Sequence, residues 1–256
     1  MPGFQPLAEP ANVVYAYDGS FQGFLCCVFE SVRTREIPFE IVPEEEPLIL
    51  LEVRHIATDP EKAERVRASI PKKISQRALD LVSIVFLSCL EQKENKLLVF
   101  LLRAYGEGSA LLQKLGDPVV APVLAAEKHL LGEAHLLKGF IRFSDVGGGL
   151  AAVITPKNFI LPFLVRHFVL RYKEEDFIIF DKTHRAALIY RKGRYEIAQI
   201  EGFEPPELSE KEEKVQALWK RFYDTIAIEG RENPRCRMTH MPKRYWENML
   251  EVKDLL

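Results

Sequence analysis

Gly139-Phe140-Ile141-Arg142-Phe143, the loop Gly147-Gly148-Gly149 and the run Leu150-Ala151-Ala152-Val153-Ile154-Thr155 mark the place where the chain changes its hydrophobic period. Upstream, apolar residues recur at helical intervals of three and four. Downstream they fall into short blocks bounded by turn residues. Reading outward, Phe140–Phe143 and Leu150–Thr155 predict two strands joined by the glycine loop, and Pro156-Lys157-Asn158 leads into a helix over Phe159–Tyr172. Phe177–Phe180, Ala187–Tyr190 and Arg194–Ile200 predict three further strands, the last two meeting at Lys192-Gly193. This β-β-α-β-β-β order predicts a mostly antiparallel sheet with a covering helix.

Before Gly139 the chain reads as a helical block. Ile74, Ala78, Leu81, Val82, Val85, Phe86, Cys89 and Leu90 make one apolar stripe, and Leu97–Tyr105 and Pro118–Leu137 predict further helices. Asp59-Pro60 opens an earlier one. Nearer the start, Val13–Tyr17 predicts a buried strand, Asp18-Gly19-Ser20 a turn and Phe21–Val32 a helix. The acidic stretch Pro38–Pro47 predicts a surface connection to a strand over Leu48–Val53, and the first dozen residues predict a loose arm. After the sheet, Glu201–Glu207 predicts a linker and Ser209 with Glu212 a capping box. Val215, Leu218, Trp219, Phe222, Tyr223 and Ile226 give the following helix a wide apolar face, and a basic loop runs into a last helix. The fold class is therefore α+β, a helical block plus a sheet, divided at 1–138 and 139–256 or continuous.

With 47% hydrophobic and 28% charged residues the chain can bury a core without metal or disulfide staples. A net charge of -2 excludes a protein that coats nucleic acid by bulk electrostatics, so any polyanion site is a local patch. Residues 1–70 carry 12 acidic and 6 basic side chains, residues 154–200 carry 9 basic and 5 acidic, and Arg231–Trp246 holds five basic residues against Glu232. Cys26, Cys27, Cys89 and Cys236 contain no C-x-x-C pair, a spacing unlike that of a zinc finger or an iron–sulfur site. No cofactor-binding motif is present: there is no P-loop, no G-x-G-x-x-G after a strand and no H-E-x-x-H. No signal sequence and no membrane-length apolar run is read, so a soluble protein of the reducing cytoplasm is expected.

Three constellations offer chemistry. Asp18-Gly19-Ser20 lies between a strand and a helix, where Ser20 and backbone amides could receive a phosphate or simply cap the helix. Arg166, His167 and Arg171 belong to the helix after the glycine loop and Lys157 stands at its N-terminal end, either as a polyanion-facing surface or as solvated flanks of a core helix. Arg235, Arg237, His240, Lys243, Arg244, Tyr245 and Trp246 interleave cations with aromatics. The cations suit phosphates, and the two rings either stack on unpaired bases or lock the last helix to the core. His129 and Glu133 stand four apart on one helix, which more often makes a surface contact than a metal site.

Three stretches together carry a resemblance: Tyr17-Asp18-Gly19-Ser20-Phe21-Gln22-Gly23-Phe24; Glu133–Phe143 with Phe163–Phe168; and Asn233-Pro234-Arg235 with Thr239–Asn248. The combination resembles a bacterial family of unknown function (domain of unknown function 4130) labelled as DNA metabolism or DNA repair. The resemblance covers nearly the whole chain. It implies an association with a radical SAM protein of DNA repair, or fusion to a uracil-DNA glycosylase-like domain. The cysteine spacing and the short stretch after Trp246 assign neither activity to this chain.

A DNA-handling or accessory role is therefore expected, with nucleic acid as the partner. An enzyme acting on DNA or a nucleotide is the alternative, with Tyr17, Asp18 and His240 as its acid–base groups. A third alternative is a scaffold that binds only protein.

Overall fold

The computed structural model describes residues 10–43, 51–203, 208, 210–226 and 233–252. The expected N-terminal arm up to residue 9, the start of the strand at Leu48, most of the Glu201–Glu207 linker, the Ser209 cap and the pair Arg231–Glu232 lie outside them. The elements run β1 (Ala11–Tyr17), α1 (Phe21–Thr34), β2 (Pro38–Pro43), β3 (Glu52–His55), α2 (Pro60–Lys73), α3 (Gln76–Phe86), α4 (Lys93–Glu107), a 3-10 turn (Gly108–Gln113), α5 (Val120–Phe140), β4 (Ser144–Asp145), β5 (Leu150–Ile154), α6 (Leu161–Arg171), β6 (Phe177–Asp181), β7 (Ala186–Arg191), β8 (Arg194–Gln199), α7 (Glu210–Ile226), α8 (Pro234–His240) and a 3-10 segment (Lys243–Asn248). The class is α+β. The chain divides into two compact units, 1–130 and 131–256, within α5.

In the first unit β1 lies between β2 and β3, both parallel to it. Val13 to Tyr17 are all buried, as a central parallel strand covered on both faces requires. The stretch Pro38–Pro43, expected as a surface connection, is instead strand β2. Pro38, Ile41 and Val42 are buried while Phe39 and Pro43 are exposed, and Asn95 of α4 accepts the Ile41 amide at 2.8 Å. The stripe from Ile74 is real but shorter than its sequence pattern. Ser75 caps α3, the helix stops at Phe86, and Cys89 is exposed.

In the second unit the sheet order is β4-β5-β6-β7-β8. Every neighbouring pair is antiparallel except β5 and β6, which are parallel and joined through α6. Phe140–Phe143 is not a strand. Helix α5 continues through Gly139 to Phe140, Ile141 closes a further helical bond to Leu137, and pairing begins only at Ser144. Phe143 becomes an aromatic peg, with its ring 5.5 Å from Phe168, 5.0 Å from Tyr172 and 5.7 Å from Phe177. At the β7–β8 turn Lys192 and Gly193 both take positive φ, the geometry of a two-residue hairpin turn. Helix α7 places Glu212 and Gln216 inward, with Gln216 Nε2 donating to Ser144. Its expected apolar face is left largely exposed at Val215, Leu218, Trp219, Phe222 and Ile226. Among the described residues no helix is long and apolar enough to cross a membrane.

Candidate functional site

Helix α6 buries Leu161, Leu164 and Phe168, which leaves its other side to polar residues. Arg166, Leu170 and Arg171 are exposed there. Arg166 with Leu170, and His167 with Arg171, stand one turn apart on neighbouring ridges. Together with Lys138, from the end of α5, they line an open depression of about 470 Å³. The His167 ring meets Phe168 edge-on at 4.8 Å, and its Nε2 is buried with no hydrogen-bond partner among the described residues. Burial, and then the charges of Lys138 and Arg171, hold the imidazole below its ordinary pKa. Some other arginines are paired: Arg77 with Glu127, Arg103 with Glu107 and Asp117, Arg142 with Glu251. Among the described residues no carboxylate forms an ion pair with Lys138, Arg166 or Arg171.

The C-terminal motif is built differently. Asn233 caps α8, and His240 of that helix directs Nδ1 at the Cys236 carbonyl, 3.0 Å away. Arg235 and Lys243 are exposed and Arg237 partly so. Lys243 lies 5.6 Å over the Trp246 ring. Trp246 is 5% exposed and donates its indole N–H to the Met241 carbonyl at 2.8 Å, while Tyr245 is 2% exposed. These two rings lock the motif to the core and present no face on which a base could stack, so of the two readings open from the sequence it is the lock that the burial supports.

What holds the motif is Glu133, which the sequence places with His129 in a surface contact and the structure buries at 2% exposure. Glu133 of α5 is buried and accepts the Asn158 amide at 2.8 Å, the Asn158 side chain at 2.6 Å, the Lys157 amide at 3.1 Å and the Tyr245 hydroxyl at 2.7 Å. The Arg244 guanidinium stacks 4.5 Å over Tyr245 and lies 3.5 Å from Glu133. Burial pushes the Glu133 pKa up, but these donors outweigh it and hold the group below the usual carboxylate range. Tyr245 is driven the other way, by burial and by its bond to the Glu133 charge. Lys157 thus gives its amide to the clasp while its side chain stays exposed, and Arg244 is partly neutralised by Glu133. Beside this clasp, at the C-terminal end of β6, fully buried Asp181 accepts the Thr183 and His184 amides, and its second oxygen meets His184 Nδ1 at 2.6 Å.

A family described as a domain of unknown function, DUF4130, matches residues 91–251, more than half of the chain. The chain belongs to the DUF4130 family. No curated protein and no solved structure matches it.

The DUF4130 segment takes in the α6 depression, the Glu133 clasp, Asp181–His184 and the C-terminal motif, and it begins well after Tyr17–Phe24. In that earlier stretch Ser20 is the N-cap of α1, its hydroxyl accepting the Gly23 amide at 2.9 Å. Asp18 accepts the Ser20 amide, the Ser20 hydroxyl and the Thr58 hydroxyl, so of the two readings, phosphate site or helix cap, the turn takes the cap and sets a carboxylate beside it. A Cβ on Gly23 would come within 2.2 Å of Asp18 Oδ1, so this packing needs glycine. Tyr17 is buried and donates to Glu94 at 3.0 Å; burial and that carboxylate push its pKa up, which keeps it protonated. Tyr17 and Asp18 belong to the first unit and His240 to the second. Among the described residues no group of three or more His, Cys, Asp or Glu side chains is placed to hold a metal ion.

The missed residues left a faint trace. Glu133 interrupts the apolar stripe Leu130, Ala134, Leu137 of the DUF4130 segment, and a carboxylate in that register is either paired or costly. Asp181 ends the apolar run Phe177–Phe180, where a buried strand turns back.

Proposed function

We propose that this DUF4130 protein binds nucleic acid in DNA metabolism or repair, as an accessory to a partner enzyme of the radical SAM class. The observation that carries the reading is the α6 depression. Three cations, Lys138, Arg166 and Arg171, border one concavity with no acid among the described residues paired to them, in a chain whose net charge is -2. Unpaired cations on a near-neutral protein repel one another, and a polyanion relieves that repulsion while releasing its own counterions. The exposed side chains of Lys157, Arg235 and Lys243 extend the set of phosphate contacts within the same unit. The partner class comes from the family resemblance. Such an enzyme would supply the cluster chemistry, for which this chain has no suitable cysteine spacing.

The test is Arg166→Ala/Arg171→Ala, followed by fluorescence anisotropy with labelled DNA at several salt concentrations. Each lost phosphate contact should lower the log–log salt slope by about one unit, so the double variant should lose about two and bind at least about tenfold more weakly, whatever the sequence. Both side chains are exposed, so the melting temperature should hold. Unchanged affinity and slope in the folded variant would refute the reading.

A further inference from the structure

We infer that the depression lined by Lys138, Arg166, His167, Leu170 and Arg171 receives a terminal phosphate monoester of a nucleic-acid strand. The inference rests on the nucleic-acid reading above and narrows it from backbone to strand end. A backbone diester offers one negative charge and two unshared oxygens. A monoester offers about 1.5 to 2 negative charges at neutral pH and three acceptor oxygens. The depression gathers more than a diester can satisfy: three cations from two helices, with an imidazole between the two that α6 supplies.

His167 separates this concavity from an ordinary basic patch. Its Nε2 is buried and has no partner among the described residues, whereas buried polar atoms in folded proteins are nearly always satisfied. The residue lines the depression, so a small side-chain shift would let a ligand oxygen there complete it. The groups that face the ring are Lys138 from α5 and Arg171 from its own helix, both cationic. They disfavour the imidazolium in the empty site, and a bound dianion reverses that balance, so the ring can then donate as a charged group. Leu170, 65% exposed among these cations, gives the terminal sugar or base an apolar surface.

The experiment uses the full chain and internally labelled oligonucleotides of one sequence, with a 5′-phosphate, a 3′-phosphate or hydroxyls at both ends, together with the same sequence circularised. One phosphorylated end should bind about tenfold more tightly than the hydroxyl-ended strand, as an added set of charge-assisted hydrogen bonds provides. His167→Gln should bring that ratio toward one while the melting temperature holds. Equal affinity for phosphorylated, hydroxyl-ended and circular strands would overturn the strand-end inference and leave nucleic-acid binding standing. Binding to none of them would overturn both. Saturable binding of a nucleoside 5′-monophosphate without any strand binding would also overturn the strand end, and would assign the depression to free nucleotides.

Discussion

Glu133 and Tyr245 show how one bond can organise a segment far away in sequence. The carboxylate receives four donors from two loops, and the hydroxyl that reaches it belongs to the C-terminal motif. A bond to a charged acceptor contributes about 1.5–3 kcal/mol net, so Tyr245→Phe should lower stability by roughly that amount. Trp246→Ala should cost about 3–5 kcal/mol, because it empties a core position. Thermal and denaturant melts measure both. The Tyr245→Phe variant, still folded, should bind DNA as wild type does, since the hydroxyl faces inward. Weaker DNA binding at unchanged stability would return Tyr245 to the interface.

At the scale of elements, hydrophobic period located almost every helix and strand, and it failed where tertiary contacts decide. Phe140–Phe143 alternates like a strand, yet Phe140 packs 5.9 Å from Tyr245 and Phe143 joins the Phe168, Tyr172 and Phe177 cluster, so α5 runs through Gly139. No local signal encodes those partners. Pro38–Pro43 was misread for the related reason that edge strands tolerate proline and charge. The cationic ridge of α6 was legible because i, i+4 spacing fixes which side chains share a face. The Glu133 clasp was not, because its donors come from residues 157, 158 and 245. If Gly139 is helical only because packing holds it there, Gly139→Ala should stabilise the protein by about 0.5–1 kcal/mol. A Cβ at that position meets nothing within 4 Å. A loss of stability in denaturant melts would show that the turn needs the glycine.

For the whole molecule, pH acts through groups of opposite chemistry that shift stability in the same direction: the His167 imidazole and a set of depressed carboxylates that includes Glu133, Asp18, Glu36 and Asp117. His167 has its pKa held below the ordinary imidazole value, so above about pH 6.5 it is neutral in both states and contributes nothing to the pH dependence. As pH falls through that value the unfolded chain takes up the proton first, and the folded state loses stability. Glu133 is likewise held below its unfolded value of about 4.3. Its contribution is complete above that pH and is lost as pH falls towards the lower folded pKa, because the unfolded carboxylate is protonated first. Acidification should therefore weaken the protein in two stages, with His167 acting in the first and Glu133 contributing its share to the second. The stability difference between wild type and His167→Gln should change between about pH 7 and the lower folded pKa of the imidazole. That between wild type and Glu133→Gln should be constant above about pH 5 and shrink below about pH 4. Glutamine keeps the size of Glu133 and removes its charge, so the variant starts less stable at neutral pH and meets wild type in acid. Urea melts across this range measure both differences. A wild-type advantage over Glu133→Gln that stays constant down to pH 3 would mean that the clasp draws its strength from shape and neutral hydrogen bonds rather than from the buried charge.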